Sequence, residues 1–373
     1  MSKINDLIIL YPSFERGGAT SNLINFINSC IKKKIKIHLI SNLNEKDKKK
    51  FFLKKVNFIN IKKNQSMNLN RFFTSINSIK LLIFLFKKIK EKNSIVFSFQ
   101  SHILPIIFCK FFSRKIIIRN SEDILGATKF ADTKVSAYFI FLLKTLIYNF
   151  ADGIITNSLK AKKSLDLITF KNKTHLIYNP YLNKIFTNKI SKRKNIILSV
   201  GRLCKQKNQQ VVIKAFALFL KKFSNYKLVL IGHGSDKVKL KLLCKTLGIS
   251  SKVYFKGWIT NPRKYYIKSK ILIFPSLYEG LPNTLIEAVN YNLPCISSRC
   301  SGAEDILTKK YGSFVSRKDE VELSNKMIDS IEDYEKILYK NKEIKKRIPR
   351  FLVNSQVIKY ISYCNKILRD SDK

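Results

Sequence analysis

At 373 residues the chain is long enough for two domains with separate cores. Its 71 lysines and arginines against 25 acids give a net charge of +46, spread as +24 over residues 1–190 and +22 over 191–373. Such evenness argues against a dedicated nucleic-acid groove and leaves a surface suited to acidic lipid headgroups. Seven cysteines without a C-x-x-C pair speak for a reducing compartment, and the four histidines, His38, His102, His175 and His233, have no metal-ligand spacing. Met1–Asp6 lacks the features of a signal peptide, and the longest greasy stretch, Val135 to Phe150, is interrupted by Lys144 and falls short of the ~20 residues a span needs. A cytoplasmic protein is expected, touching the inner face of the membrane at most peripherally.

Leu7 to Tyr11 is a short continuous apolar run bounded by a turn, which predicts a buried strand. Pro12 to Thr20 is a loop with Arg16 beside the pair Gly17-Gly18, where a ligand can approach the backbone closely. A helix over Ser21 to Ile31 and a strand over Lys36 to Ile40 follow, then a lysine-dense segment, Glu45 to Lys63, without a clear period. Ile76 to Lys92 has an apolar body and a basic end. It reads as a helix covering a sheet, or as one laying Phe84 and Leu85 into a membrane surface.

Ile95 to Phe99 is the next strand, and His102 is placed in the loop after it, on the carboxyl-end face where α/β sheets bind ligands. Ile116 to Ile118 leads to a polar cluster on that same face, Arg119, Asn120, Ser121 and Glu122, suited to an acceptor or simply solvated. A helix over Val135 to Phe150, strands at Gly153 to Thr156 and His175 to Tyr178, and a polar linker between Pro180 and Lys194 close the first half.

The second half restarts a parallel rhythm with strands at Ile196 to Val200 and Leu228 to Ile231 and helices at Gln209 to Phe223 and Asp236 to Leu247. Its first turn reads G-R-L-C-K-Q-K-N. Gly201 allows a sharp exit from the strand, and Arg202 and Lys207 can converge from two sides of one loop, an arrangement that suits a diphosphate. Gly232-His233-Gly234 forms another strand-to-helix turn, and the lone Trp258 reads as packing. The strand Ile271 to Phe274 then rises through S-L-Y-E-G-L-P-N-T-L-I-E-A into a helix with Pro282 in its first turn. Here Glu279 lies in the loop and Glu287 past the first helical turn, two carboxylates beside the positive end of a helix dipole. Pro294 to Ser297 is a strand, Asp319 to Arg347 a charged helical stretch, and Phe351 to Leu368 a last helix.

The E-x7-E pair within E-G-L-P-N-T-L-I-E-A, preceded by G-R-L-x-x-x-K-N, resembles the signature of the family 4 glycosyltransferases, and A-D-G-I-I-T-N-S at residues 151–158 resembles that family as well. The resemblance implies an α/β protein of the GT-B fold, with two Rossmann-like parallel-sheet domains facing across a cleft. Residues 1–185 would form an acceptor-side domain, 186–350 a nucleotide-sugar domain, and 351–373 a helix packing back on the first. It implies retaining transfer from a nucleotide diphosphate sugar, probed first as UDP-linked, to a lipid-linked or surface-polysaccharide acceptor, with no cofactor, no metal and no specific nucleic acid. Arg202, Lys207 and Glu279 would be catalytic. Gly17, Gly18, His102, Gly201, His233, Gly280, Leu281, Pro282, Asn283, Thr284 and Glu287 would bind the donor, and Arg16, Arg119 and Asn120 the acceptor. A nucleotide-sugar 2-epimerase of the same fold, and a basic nucleic-acid or membrane-binding protein with an inactive cleft, are the alternatives.

Overall fold

Short runs of Ile, Leu and Val bounded by turns become buried parallel strands in both halves of the chain, as expected when each face of a sheet is covered by helices. The computed structural model describes residues 4–14, 17–43, 51–52, 56–60, 79–83, 86, 94–131, 133–170, 173–188 and 192–370. Two compact units emerge, Met1–Asn183 together with Phe351–Lys373, and Lys184–Arg350.

The first unit runs β1 (Asp6–Leu10), α1 (Gly18–Lys32), β2 (Lys36–Ser41), β3 (Val56–Asn60), β4 (Ser94–Ser98), α2 (Ile103–Phe111), β5 (Ile116–Asn120), α3 (Ile124–Lys129), α4 (Lys134–Ile147), β6 (Gly153–Thr156), α5 (Leu159–Asp166) and β7 (Thr174–Leu176). Its sheet has the order β3-β2-β1-β4-β5-β6-β7, with every pair parallel. Leu7 stands opposite Ile37 on one side and Ile95 on the other. Because side chains alternate along a strand, Leu7 and Ile9 enter one apolar cluster and Ile8 and Leu10 another across the sheet. Ile79, Leu82 and Phe86 are buried in the second of these, so the described part of the segment 76–92 covers the sheet. Phe84 and Leu85 lie outside the described residues.

The second unit runs β8 (Ile196–Val200), α6 (Gln209–Leu220), β9 (Lys227–Ile231), α7 (Lys237–Thr246), β10 (Val253–Phe255), α8 (Arg263–Lys268), β11 (Ile271–Phe274), α9 (Asn283–Asn290), β12 (Cys295–Ser298), α10 (Ala303–Leu307), β13 (Ser313–Val315), α11 (Glu320–Glu332) and α12 (Tyr334–Lys345). Its sheet is again all parallel, in the order β10-β9-β8-β11-β12-β13. The predicted stretch from Asp319 to Arg347 is two helices, broken at Asp333, whose φ of −107° and ψ of 53° are not helical.

The last helix, α13 (Val353–Arg369), belongs to the first unit. Val357, Tyr360, Cys364 and Leu368, at helical spacing, enter the cluster of Leu7, Ile9 and Phe26, and the Phe26 and Tyr360 rings are 5.1 Å apart. Leu182 pairs with Leu352, which ties the start of this return to the end of the first pass.

Candidate active site

From β8 the second unit builds β9 and β10 outward to one side, then crosses over and builds β11, β12 and β13 to the other. The strand order therefore reverses between β8 and β11, where Leu198 pairs with Leu272. In open parallel sheets the crevice outside the carboxyl ends at such a reversal is where ligands lodge. Both predicted motifs leave the sheet at this point.

The two loops are joined by specific bonds. Leu277 N–H donates to Gln206 O at 2.8 Å, and the Gln206 amide donates back to Tyr278 O at 2.9 Å. Lys207 Nζ forms an ion pair with Glu279 Oε1, the two side chains being only 16% and 12% exposed, and the ammonium lies 5.1 Å from the centre of the Phe274 ring. Arg202 is exposed on the same loop, with Nη2 donating to Gln206 Oε1 at 3.2 Å. Asn208 makes the turn into α6: it adopts the left-handed conformation (φ 55°), which asparagine tolerates well, and its amide donates to Arg317 O at 2.5 Å.

Neighbouring loops press on this pair backbone to backbone. Gly232 has φ +148°, and a Cβ there would stand 1.8 Å from Gly201 O. Gly302 has φ +75°, and its Cβ would stand 2.3 Å from Gly280 O. Leu203 N–H donates to the carbonyl of His233, whose side chain is exposed, and Gly232 N–H donates to Gly257 O. Trp258, read above as packing, is 47% exposed beside this turn.

Pro282 stands at the N-cap of α9 rather than in its first turn, with an extended ψ of 102°. Gly280, Leu281 and Pro282 are buried, while Asn283 and Thr284 are half-exposed. No acidic side chain occupies the first turn of α9. One turn further, Glu287 accepts a 2.5 Å hydrogen bond from the hydroxyl of Tyr266, which is fully buried on α8. Near the ion pair the Cys300 thiol is pushed up to about 12 by burial and then by the charge of Glu279, so it stays protonated. Gln206, Asn208, Tyr266 and Cys300 were not singled out from the sequence. The first two sit inside a recognised motif, whereas Tyr266 gives no local signal.

In the first unit the outcomes differ. Gly17 caps α1 in an extended conformation, and a Cβ there would meet nothing within 4 Å. Gly18 begins the helix and is exposed; Arg16 lies outside the described residues. His102 is the N-cap of α2 rather than a loop residue, and its Nδ1 lies 2.9 Å from Ser98 Oγ. Desolvation, followed by the charges of Lys144 and Arg119, lowers its pKa to about 3, so the imidazole is neutral.

Arg119 and Asn120 need correction as acceptor-binding residues. Both are buried, 1% and 2% exposed. Arg119 donates to Tyr360 Oη at 2.9 Å, Ser121 Oγ at 2.5 Å and Asn179 Oδ1 at 2.5 Å, and lies over the Phe99 ring. Asn120 donates to Glu122 O at 2.6 Å. Arg119, within β5, thus fastens α13 to the sheet. Arg119→Met should destabilise the protein by about 3 kcal/mol or more, since three bonds to a charged donor are lost and two of the acceptors, Tyr360 and Asn179, are buried. A denaturant midpoint equal to that of the wild type would refute this structural role.

Two Rossmann-like parallel-sheet units, the second with cations and a helix start gathered at its strand reversal, define a protein of the GT-B fold. A solved structure of Anabaena HepE in complex with UDP and glucose superposes with a TM-score of 0.77 over 96% of this chain and 98% of that one, at 17% identity. Residues 182–347 match the family described as Glycosyl transferases group 1. An uncharacterized glycosyltransferase of Methanocaldococcus jannaschii is 37% identical over 183 residues, 45% of each chain. A Campylobacter jejuni enzyme is 32% identical over 190 residues, 50% of this chain and 52% of its own; its name describes an N-acetylgalactosaminyltransferase acting on a glycan carried by undecaprenyl diphosphate. The chain spans about half the length of these curated relatives.

Proposed function

We propose that the protein is a retaining glycosyltransferase that moves a sugar from a nucleotide diphosphate sugar, UDP-linked, to a hydroxyl of a lipid-linked or surface-polysaccharide acceptor. The observation that carries this reading is the meeting of Lys207 with Glu279 at the β8/β11 reversal, with Arg202 on the same turn. A diphosphate seated there gains two cations and the amino end of α9.

In the transfer, the bond from the anomeric carbon to the β-phosphate oxygen breaks and a bond to the acceptor oxygen forms on the same face. The acceptor proton passes to the departing phosphate oxygen. Arg202 and Lys207 stabilise the charge that grows on that phosphate. Glu279 and the backbone from Gly280 to Asn283 hold the sugar hydroxyls. Glu287, oriented by Tyr266, accepts from the ribose. Gly201 and His233 line the phosphate turn and Thr284 the helix start. The undecaprenyl-linked acceptor named for the Campylobacter relative and the UDP bound by the Anabaena neighbour support the choice of substrates. The basic surface favours peripheral contact with an acidic membrane. Among the described residues no helix is long and apolar enough to cross one.

Thermal shift against UDP-, GDP- and ADP-sugars, with and without EDTA, tests the reading. UDP-sugars should raise the midpoint most, and EDTA should leave both the shift and turnover unchanged, because side-chain cations do the work of a metal. If no nucleotide shifts the midpoint while RNA stays bound at high salt, the protein is a basic binding module instead.

A further inference from the structure

Helix α4 is polarised the wrong way round for a helix in water. Among the described residues none of its side chains is buried. Val135, Tyr138, Phe139, Leu142 and Leu146, spaced i, i+3, i+4, i+7 and i+11, form one stripe about 100° wide, and all five are exposed, Val135 by 86%, Phe139 by 61% and Leu146 by 66%. On the opposite side, Lys144 turns inward to bond Glu122 at 2.9 Å. The lysine is held by the protein and the apolar stripe is given to the surroundings. Phe111, at the end of the neighbouring α2, is 79% exposed.

An apolar patch of this extent marks a docking surface. We propose that its occupant is the surface of an anionic lipid bilayer, into which the α4 stripe inserts in the plane of the headgroups. Charge selects this occupant over a second copy of the chain. Lys129, at the end of α3, and Lys134, at the start of α4, are exposed, and the protein carries +46, so two copies placed face to face repel whereas acidic headgroups attract. Aromatic and aliphatic side chains on one face with lysines at the border match an interfacial helix. The sequence suggested such a role for residues 76–92; the exposed stripe belongs to α4.

The inference extends the lipid-linked part of the proposed function but is tested apart from it, since vesicle binding needs neither donor nor acceptor. Co-sedimentation of the full chain with vesicles of phosphatidylcholine alone, or mixed with phosphatidylglycerol, is read at low and high salt. The wild type should prefer anionic vesicles and keep measurable binding at high salt, where attraction by charge alone is screened. The triple variant Val135→Ser, Phe139→Ser, Leu142→Ser should bind about tenfold or more weakly at high salt, with an unchanged melting midpoint and UDP affinity. Equal binding by the variant, complete loss of wild-type binding with salt, or a wild-type dimer that the variant turns into a monomer would each overturn the proposal. Loss of UDP binding in the wild type would sink the transferase reading and leave this one standing.

Discussion

Lys207→Ala should lower turnover by about 10²-fold or more, the loss expected when a preorganised charge stabiliser is removed. The ion pair with Glu279 sharpens the expectation, because the variant leaves a carboxylate only 12% exposed with no cation, beside the place assigned to a diphosphate. Donor binding should therefore weaken as well, and KM should rise while kcat falls. Glu279→Gln in the Lys207→Ala background relieves that repulsion and should recover part of the affinity but none of the kcat. Arg202→Ala should cost a similar factor in kcat with little change in folding stability, since its side chain is exposed and bonds only Gln206 among the contacts described. Steady-state kinetics with a UDP-sugar, alongside UDP affinity by calorimetry, separates these effects. Wild-type kcat in either single variant would remove the phosphate site from the β8 turn.

Much of this arrangement could be read from the chain because its physics is local. Parallel strands buried on both faces appear as unbroken apolar runs, so Leu7 to Leu10 and Ile271 to Phe274 announce themselves. That the two motif loops approach each other was legible from the motifs, whose strands are neighbours, whereas the ion pair of Lys207 with Glu279 was not foreseen. What escaped depends on partners far along the chain. Arg119 ends a strand where ligands usually bind, and only Tyr360, 241 residues later, reveals that it is a structural anchor. Glu287 shows nothing of Tyr266, which orients it from the preceding crossover helix. Apolar periodicity in 134–147 fixes a helix but not which side meets the core, so the outward stripe of α4 could not be foreseen.

Gly232→Ala should be the most damaging change that touches no ligand-binding side chain. An ideal Cβ at this position lies 1.8 Å from Gly201 O, and that oxygen belongs to backbone, which cannot rotate away as a side chain can. The φ of +148° adds strain of its own, on the order of 1–3 kcal/mol. Relief requires the turns after β8 and β9 to separate, yet they are joined by Gly201 N–H to Ile231 O and Leu203 N–H to His233 O, both 2.9 Å. Arg202 lies between those two bonds, so any separation displaces it, and a shift of about 1 Å in a positioning element can cost about 10²-fold in rate. Gly248→Ala is the control: φ is +67°, also unfavourable, but nothing lies within 4 Å of the added carbon. That variant should lose only about 1–2 kcal/mol of stability and keep its kcat, because only the local backbone conformation is penalised. Matched losses of stability with activity lost in Gly232→Ala alone would assign the effect to the packing of the two turns. Normal UDP affinity and turnover in Gly232→Ala would mean that this backbone contact does not position the phosphate site.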